Sequence, residues 1–379
     1  MLKAKVLIVS LWEISNDCVG GTERYVIDLS SQLHLQGVDV DVLMLSGEKI
    51  TLNGVKYTPV KGFEKKVNEY MIKKEFFSIL TEQNLKNFAN CISKNCDVKK
   101  YDLIHMNSLL FYFLFPEKKR VFAIHDNPSD FDNNWGTGSF KRFLKIVNKN
   151  KFKKTFFVAP SKIHGEEIAS LLHEKILVIP HALNLKDLVS KRAKAEIRAQ
   201  YGIGDSYTIL IPSRLELFQK GQDLAARALC KASSSLGKFQ VIFSGLDPQY
   251  EKNVKLIKSI CKNGNFKYYF IKFSNIGDAY RLADLVIVPS RSEIFGYSAL
   301  ESLALGKKTV LSDIPTFREF SINNPSAYIS KLDPMTLSKS IIRAFQSKDK
   351  KTPSGWFDKY EPRSWAKNYI KFYEKIISK

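Results

Sequence analysis

Residues 283–313, ADLVIVPSRSEIFGYSALESLALGKKTVLSD, decide how this chain is read. Leu285-Val286-Ile287-Val288 is short, continuous and β-branched, the pattern of a buried parallel strand, and Pro289-Ser290 stops it. A loop carrying Glu293 and Gly296 leads into a helical pattern in which Ala299, Leu300, Leu303 and Ala304 share one face. Gly306 suits the left-handed end of that helix, and Thr309-Val310-Leu311 begins the next strand. The open end of such a unit presents the backbone N–H groups of Phe295, Gly296 and Tyr297, which suit phosphate oxygens. Glu293 in the loop and Glu301 on the helix add two carboxylates able to accept hydrogen bonds from sugar hydroxyls. Two surface glutamates, one near a helix start where negative charge is favourable, would read the same, so the residues alone leave both interpretations open.

A Glu, seven residues and a second Glu, set in PSRSEIFGYSALESLALGKKTVLSD, resembles the signature of glycosyltransferase family 4 and its retaining GT-B relatives. The resemblance implies an α/β chain of the GT-B class: two Rossmann-like doubly wound domains facing a central cleft, with a C-terminal helix crossing back to the first domain. It also implies that Glu293 faces the donor sugar and that Glu301 holds the ribose of the nucleotide. The sequence departs from the pattern at Ile294, where glycine is usual, and this leaves the identity of the sugar open.

Three other stretches extend the resemblance. After the first strand pattern, KVLIVS (residues 5–10), comes GGTERYVIDLSSQL (residues 20–33). A glycine pair ahead of a helix lets a backbone approach a ligand closely, although by itself it is also an ordinary turn. In the related enzymes this loop lies between donor phosphate and acceptor, which implies a site role for Gly20 and Gly21, whereas Glu23 reads as a first-turn helix charge. SRLELFQKGQDL (residues 213–224) follows a strand and carries Arg214 and Lys220. A departing nucleoside diphosphate gains negative charge as the glycosidic bond breaks, and two fixed cations stabilise that state preferentially. The resemblance makes this pair the diphosphate binders, in place of the metal that other folds use. Finally, His125 follows the strand VFAI, at the carboxyl end where ligands of open α/β sheets bind. Relatives keep a histidine there, near the donor sugar and acceptor hydroxyl. Ser244-Gly245, after the strand at 240–243, offers a further place for the diphosphate or base, and VIPHALN (residues 178–184) resembles the family's hinge-side segment except at His181 and Ala182.

At 379 residues the chain suits two domains, and strands alternating with helices argue for parallel, doubly wound sheets. The expected boundaries are 1–183, joined by the helix 364–379, and 184–363. Composition, 44% hydrophobic and 26% charged, is that of a globular protein, and no apolar run approaches a membrane span. The five cysteines are scattered without metal-ligand spacing and point to a reducing cytoplasm. The formal charge of +21 favours anionic partners: nucleotides, lipid diphosphates, membrane surfaces or nucleic acid. The mixed basic-aromatic segment 61–77 could touch an acceptor or membrane, or be a solvated loop and helix. The basic helix pattern FKRFLKIVNKNKF (residues 140–152) could lie on an anionic membrane, but packing of its apolar side on a sheet explains it more simply. Asp130-Phe131-Asp132 matches a metal-binding triplet of another fold, but it lacks the buried strand that triplet requires.

The resulting expectation is a metal-independent, retaining enzyme, without a cofactor, that moves a hexose-type sugar from a UDP- or GDP-linked donor to a glycan or polyprenyl-diphosphate-linked acceptor. It would act in bacterial surface polysaccharide assembly, in the cytoplasm or at the inner face of the membrane, with no nucleic-acid partner. The rival readings are a nucleotide-sugar epimerase or phosphorylase on the same fold, and a basic RNA- or membrane-binding protein without catalysis.

Overall fold

The computed structural model describes residues 2–15, 20–61, 63, 79–126, 128–245, 251–349 and 352–378, so that all but two residues of the segment 61–77 lie outside the described residues. The chain forms two compact units, residues 1–182 with 359–379 and residues 183–358, beside the boundaries expected from sequence.

Eight strands make the first unit's sheet: β1 (Lys5–Ser10), β2 (Asp39–Met44), β3 (Ile50–Leu52), β4 (Val55–Pro59), β5 (Leu103–Met106), β6 (Lys119–Ala123), β7 (Thr155–Ala159) and β8 (Ile176–Val178). Their order is β3-β4-β2-β1-β5-β6-β7-β8, and only β3 runs antiparallel, against β4. The sequence reading missed β3, although Asn53-Gly54 was its signal. Leu52 pairs with Val55, and both intervening residues have positive φ (50° and 80°), as a two-residue hairpin turn demands.

Alternation along β1 sorts the core into two faces. Val6 and Ile8 pack with Val26, Leu29 and Leu33 of the helix Gly21–Leu35 and with Trp365, Tyr369 and Tyr373 of the helix Pro362–Ile377. Leu7 and Val9 belong to the other face with Leu85, Phe88, Phe111 and Phe143. The basic segment at 140–152 forms the helix Ser139–Lys149, whose Phe140, Phe143, Leu144 and Val147 are all buried in that second face. Asp132 serves this helix as a cap: its carboxylate accepts from Gly138 N (2.8 Å), Phe140 N (3.1 Å) and Ser139 Oγ (3.2 Å).

The second unit has six strands, all parallel: β9 (Tyr207–Ile211), β10 (Phe239–Ser244), β11 (Lys267–Ile271), β12 (Leu285–Val288), β13 (Lys308–Ser312) and β14 (Ala327–Ser330), in the order β11-β10-β9-β12-β13-β14. One face is covered by the helices Gln222–Leu236 and Pro334–Gln346, whose Ala225, Ala228, Leu229, Leu337 and Ile341 are buried. The aromatic-rich β11 is accounted for by its neighbour, since Phe270 stacks on Phe243 at 5.1 Å and Phe266 on Phe239 at 4.9 Å. In each unit the chain direction across the sheet reverses beside a central strand, between β1 and β5 and between β9 and β12. Ligands of open α/β sheets bind outside the carboxyl ends of strands at such points.

Trp365, only 1% exposed, is the largest side chain joining the helix Pro362–Ile377 to its unit. Trp365→Ala is expected to destabilise the first unit by about 3–5 kcal/mol, read as a lower urea midpoint for that unit with the second unit's transition unmoved.

Candidate active site

In the second unit the loops leaving β9 and β12 are tied together. The Lys220 ammonium donates to Glu293 Oε1 at 2.7 Å, and Ser290 Oγ donates to the same oxygen at 2.9 Å. Arg291 N donates to Gln219 O (2.7 Å), and the Arg291 guanidinium grips the Asp223 carboxylate with two bonds of 3.0 and 2.9 Å. The backbone approach is closest at Gly221, which has φ +66° and whose missing Cβ would strike the Pro289 carbonyl, so a side chain there would force the two loops apart. Gly245, just past β10, lies so close to the Ser213-Arg214 backbone that an added Cβ would sit 2.5 Å from Ser213 O and 2.7 Å from Arg214 N.

The helix Tyr297–Ala304 starts at this edge with Gly296, left-handed at φ 84°, as its N-cap. Phe295 is buried, and its ring meets Tyr297 edge-on at 5.3 Å. Glu301, one turn into the helix and 5% exposed, accepts from the Tyr280 hydroxyl at 2.7 Å. Glu293 is further fixed through its backbone carbonyl, which accepts from Thr316 Oγ1 at 2.7 Å. Arg214, Lys220, Gly245, Glu293, Phe295, Gly296, Tyr297 and Glu301 thus all lie at the carboxyl edge of one sheet, beside its reversal point. The charges differ in kind. Lys220 is compensated by Glu293 and Arg291 by Asp223, whereas Arg214 is exposed and has no acidic partner among the described residues, so it supplies the uncompensated positive charge. The supporting set Tyr280, Ser290, Arg291, Asp223 and Thr316 was not read from sequence; all but Ser290, which bonds Glu293 three residues on, act through a partner far along the chain.

In the first unit, Gly20 is the N-cap of the helix Gly21–Leu35 and its carbonyl accepts from Arg24 N at 3.1 Å. The Glu23 carboxylate lies against Gly20 where a side chain would otherwise be. His125 follows β6 by two residues, and its ring meets Tyr25 at 4.4 Å and stacks on His181 at 4.9 Å. Its Nε2 is buried without a hydrogen-bond partner among the described residues. Three neighbouring features escaped the sequence reading. His105, fully buried on β5, is bonded at both ring nitrogens, to the hydroxyls of Tyr25 (2.9 Å) and Tyr373 (2.8 Å). Asn107, 1% exposed at the end of β5, accepts from Leu11 N at 3.1 Å while its Nδ2 has no partner among the described residues. Asp126 accepts from Ser108 Oγ and Leu109 N, both at 2.9 Å, and burial pushes its carboxyl up to about 6.

Two family models match the chain in succession: Glycosyltransferase Family 4 over residues 19–187 and Glycosyl transferases group 1 over residues 193–354. The chain belongs to the family 4-type glycosyltransferases. An uncharacterized glycosyltransferase of Methanocaldococcus jannaschii is 24% identical over 336 residues, 82% of this chain and 80% of that protein. An O-antigen biosynthesis glycosyltransferase of Escherichia coli is 32% identical over 170 residues, 41% of this chain and 46% of its own length. The sucrose-phosphate synthase of Thermosynechococcus elongatus superposes with a TM-score of 0.77 at 15% identity, covering 99% of both chains, which shows the GT-B fold. This glycosyltransferase carries no helix, among the described residues, long and apolar enough to cross a membrane.

Burial gives the enzyme a defined acid response. It lowers His105 and His125 to about 3 and His164 to about 4, and it holds His181 well below the usual imidazole value. A base lowered in the fold is protonated first in the unfolded chain, so its stabilising effect is complete above about pH 6.5 and is lost as pH falls toward 3. Asp126, raised to about 6, works the other way: its contribution is full below the ordinary carboxylate value and is lost as pH rises through 6. Four imidazoles outweigh one carboxyl. For His105 alone the loss is about 2 kcal/mol between pH 7 and pH 5. The urea midpoint of the first unit should drop over this range, and His105→Gln should flatten the drop.

Proposed function

We propose that this glycosyltransferase moves a hexose-type sugar from a UDP- or GDP-linked donor to a hydroxyl of a glycan or polyprenyl-diphosphate-linked acceptor, with retention of anomeric configuration. The second unit takes the donor and the first unit takes the acceptor. The observation that carries the reading is the gathering of Arg214, Lys220, Glu293 and Glu301 at the reversal point of the second sheet. Arg214 and Lys220 would neutralise the departing diphosphate, the work a divalent metal does elsewhere, so turnover should survive a chelator. Glu301, held by Tyr280, would accept from paired ribose hydroxyls, and Glu293 would face the sugar. His125, with an unpartnered ring nitrogen, would meet a hydroxyl of sugar or acceptor. The O-antigen relative supports a place in bacterial surface polysaccharide assembly, and the +21 charge supports an anionic, lipid-diphosphate acceptor at the membrane's inner face.

A panel of UDP-glucose, UDP-galactose, UDP-N-acetylglucosamine and GDP-mannose provides the test. A donor at a hundred times its dissociation constant should raise the melting temperature of the second unit by about 5–10 °C, and Glu301→Ala should abolish the rise. If no member of the panel, nor free UDP or GDP, moves the transition, the donor reading fails; the anomeric signal of the product checks retention.

Lys220 and Glu293 give a sharper expectation. Lys220→Ala removes a cation and also leaves the Glu293 carboxylate uncompensated beside the diphosphate. The loss in kcat should therefore be large, about 100-fold or more, and nucleoside diphosphate binding should be partly restored by adding Glu293→Gln. Isothermal titration with UDP and GDP reads the second effect.

A further inference from the structure

We propose that Tyr25 and His181 are positioning residues for His125, fixing the plane and direction of its ring, and that Trp365 and Tyr369 hold that pair in turn. The inference rests on the reading of His125 as a substrate-facing group and deepens it. His125 lies past the end of β6, where no helix or ladder sets its rotamer. Its ring is instead confined by two others from different elements: Tyr25 of the helix Gly21–Leu35 at 4.4 Å, and His181, beyond β8, stacked at 4.9 Å with 26° between the planes. Tyr25 and His181 also meet each other at 4.8 Å, so the three rings form a closed triangle.

Tyr25 cannot turn within it. Its hydroxyl is bonded to His105 Nε2 (2.9 Å) and to the Tyr369 hydroxyl (2.8 Å), and Tyr373 OH reaches His105 Nδ1 (2.8 Å). A neutral imidazole donates at one nitrogen and accepts at the other, so His105 makes this chain of four side chains run in a single hydrogen-bond direction. Trp365 closes the outer side, edge-on to Tyr25 at 5.6 Å and to His181 at 6.4 Å. Among the described residues His125 Nε2 is buried without a partner, as is Trp365 Nε1 on the outer side of the cluster. Of the two, His125 Nε2 belongs to a residue past the carboxyl end of a strand, where a bound group or an ordered water can meet it. A ring free to rotate would present that nitrogen in only a fraction of encounters, and misplacement of a reacting group lowers the rate far more than it lowers binding.

The test uses the full chain and the member of the nucleotide-sugar panel that it turns over, followed as released nucleoside diphosphate. Tyr25→Phe keeps the ring against His125 but removes both tethers; His181→Asn removes the stacking partner. Each should lower kcat about tenfold with the donor KM unchanged, and neither should lower it further in a His125→Ala background. Tyr369→Phe, which removes only the far hydroxyl, should give a smaller loss of the same kind and carries the test if Tyr25→Phe does not fold. Unchanged kcat, a change confined to KM, or losses that persist in full without His125 overturn the positioning role while the reading of His125 stands. If His125→Ala itself turns over normally, or no donor in the panel is consumed, the reading of the site fails and the inference falls with it.

Discussion

An ion pair of 2.7 Å between Lys220 and Glu293 joins the loops that leave the two middle strands of the second sheet, and the candidate donor site depends on that junction. With side chains only 17% and 11% exposed, both partners are largely withdrawn from water. Breaking such a pair leaves a poorly solvated charge, so each partner holds the other in place more firmly than a surface pair would. The surroundings are arranged for this contact. Gly221 allows the backbones to touch, Arg291 clamps Asp223 from the other loop, and Thr316 fixes the carbonyl of Glu293. A loop on an open sheet edge is ordinarily mobile; here it is fastened at several points before any ligand arrives, which is the preorganisation that transition-state stabilisation requires.

The second unit was legible in the sequence to an unusual degree, and the reason is local. A strand, a loop with a carboxylate and a helix with a second carboxylate occupy consecutive residues from Leu285 to Ala304, so the spacing of the letters already contains the spacing in space. Arg214 and Lys220 are likewise carried by one short stretch, Lys220 ending the helix Leu217–Lys220 just before the helix Gln222–Leu236. The partners that hold these groups were not legible, since Tyr280 reaches Glu301 across 21 positions and Lys220 reaches Glu293 across 73. Nothing in the local pattern specifies such pairings.

The first unit shows the opposite balance. His125 was read from its place after a strand, yet the rings that touch it come from positions 25 and 181 and those behind Tyr25 from 105 and 365, which only the folded sheet assembles. His181 looked merely like a departure from a family pattern, and the helix Pro362–Ile377 lays an aromatic stripe of Trp365, Tyr369 and Tyr373 into the core. Packing does account for most of that stripe, but Tyr369 and Tyr373 also spend their hydroxyls on Tyr25 and His105. A period of 3.6 in hydrophobic residues reveals a buried face and says nothing of what its polar tips will bond.

The first unit is discontinuous along the chain: its last helix is separated from the rest by the 176 residues of the second unit. During synthesis, residues 1–182 emerge from the ribosome with the Tyr25 hydroxyl lacking one of its bonds and one face of β1 covered only in part, and they wait until the whole second unit has been made. The second unit is contiguous and can complete itself as it appears. Assembly of this enzyme therefore finishes at its beginning, and a messenger cut short near position 360 would yield a complete second unit and a first unit that never closes.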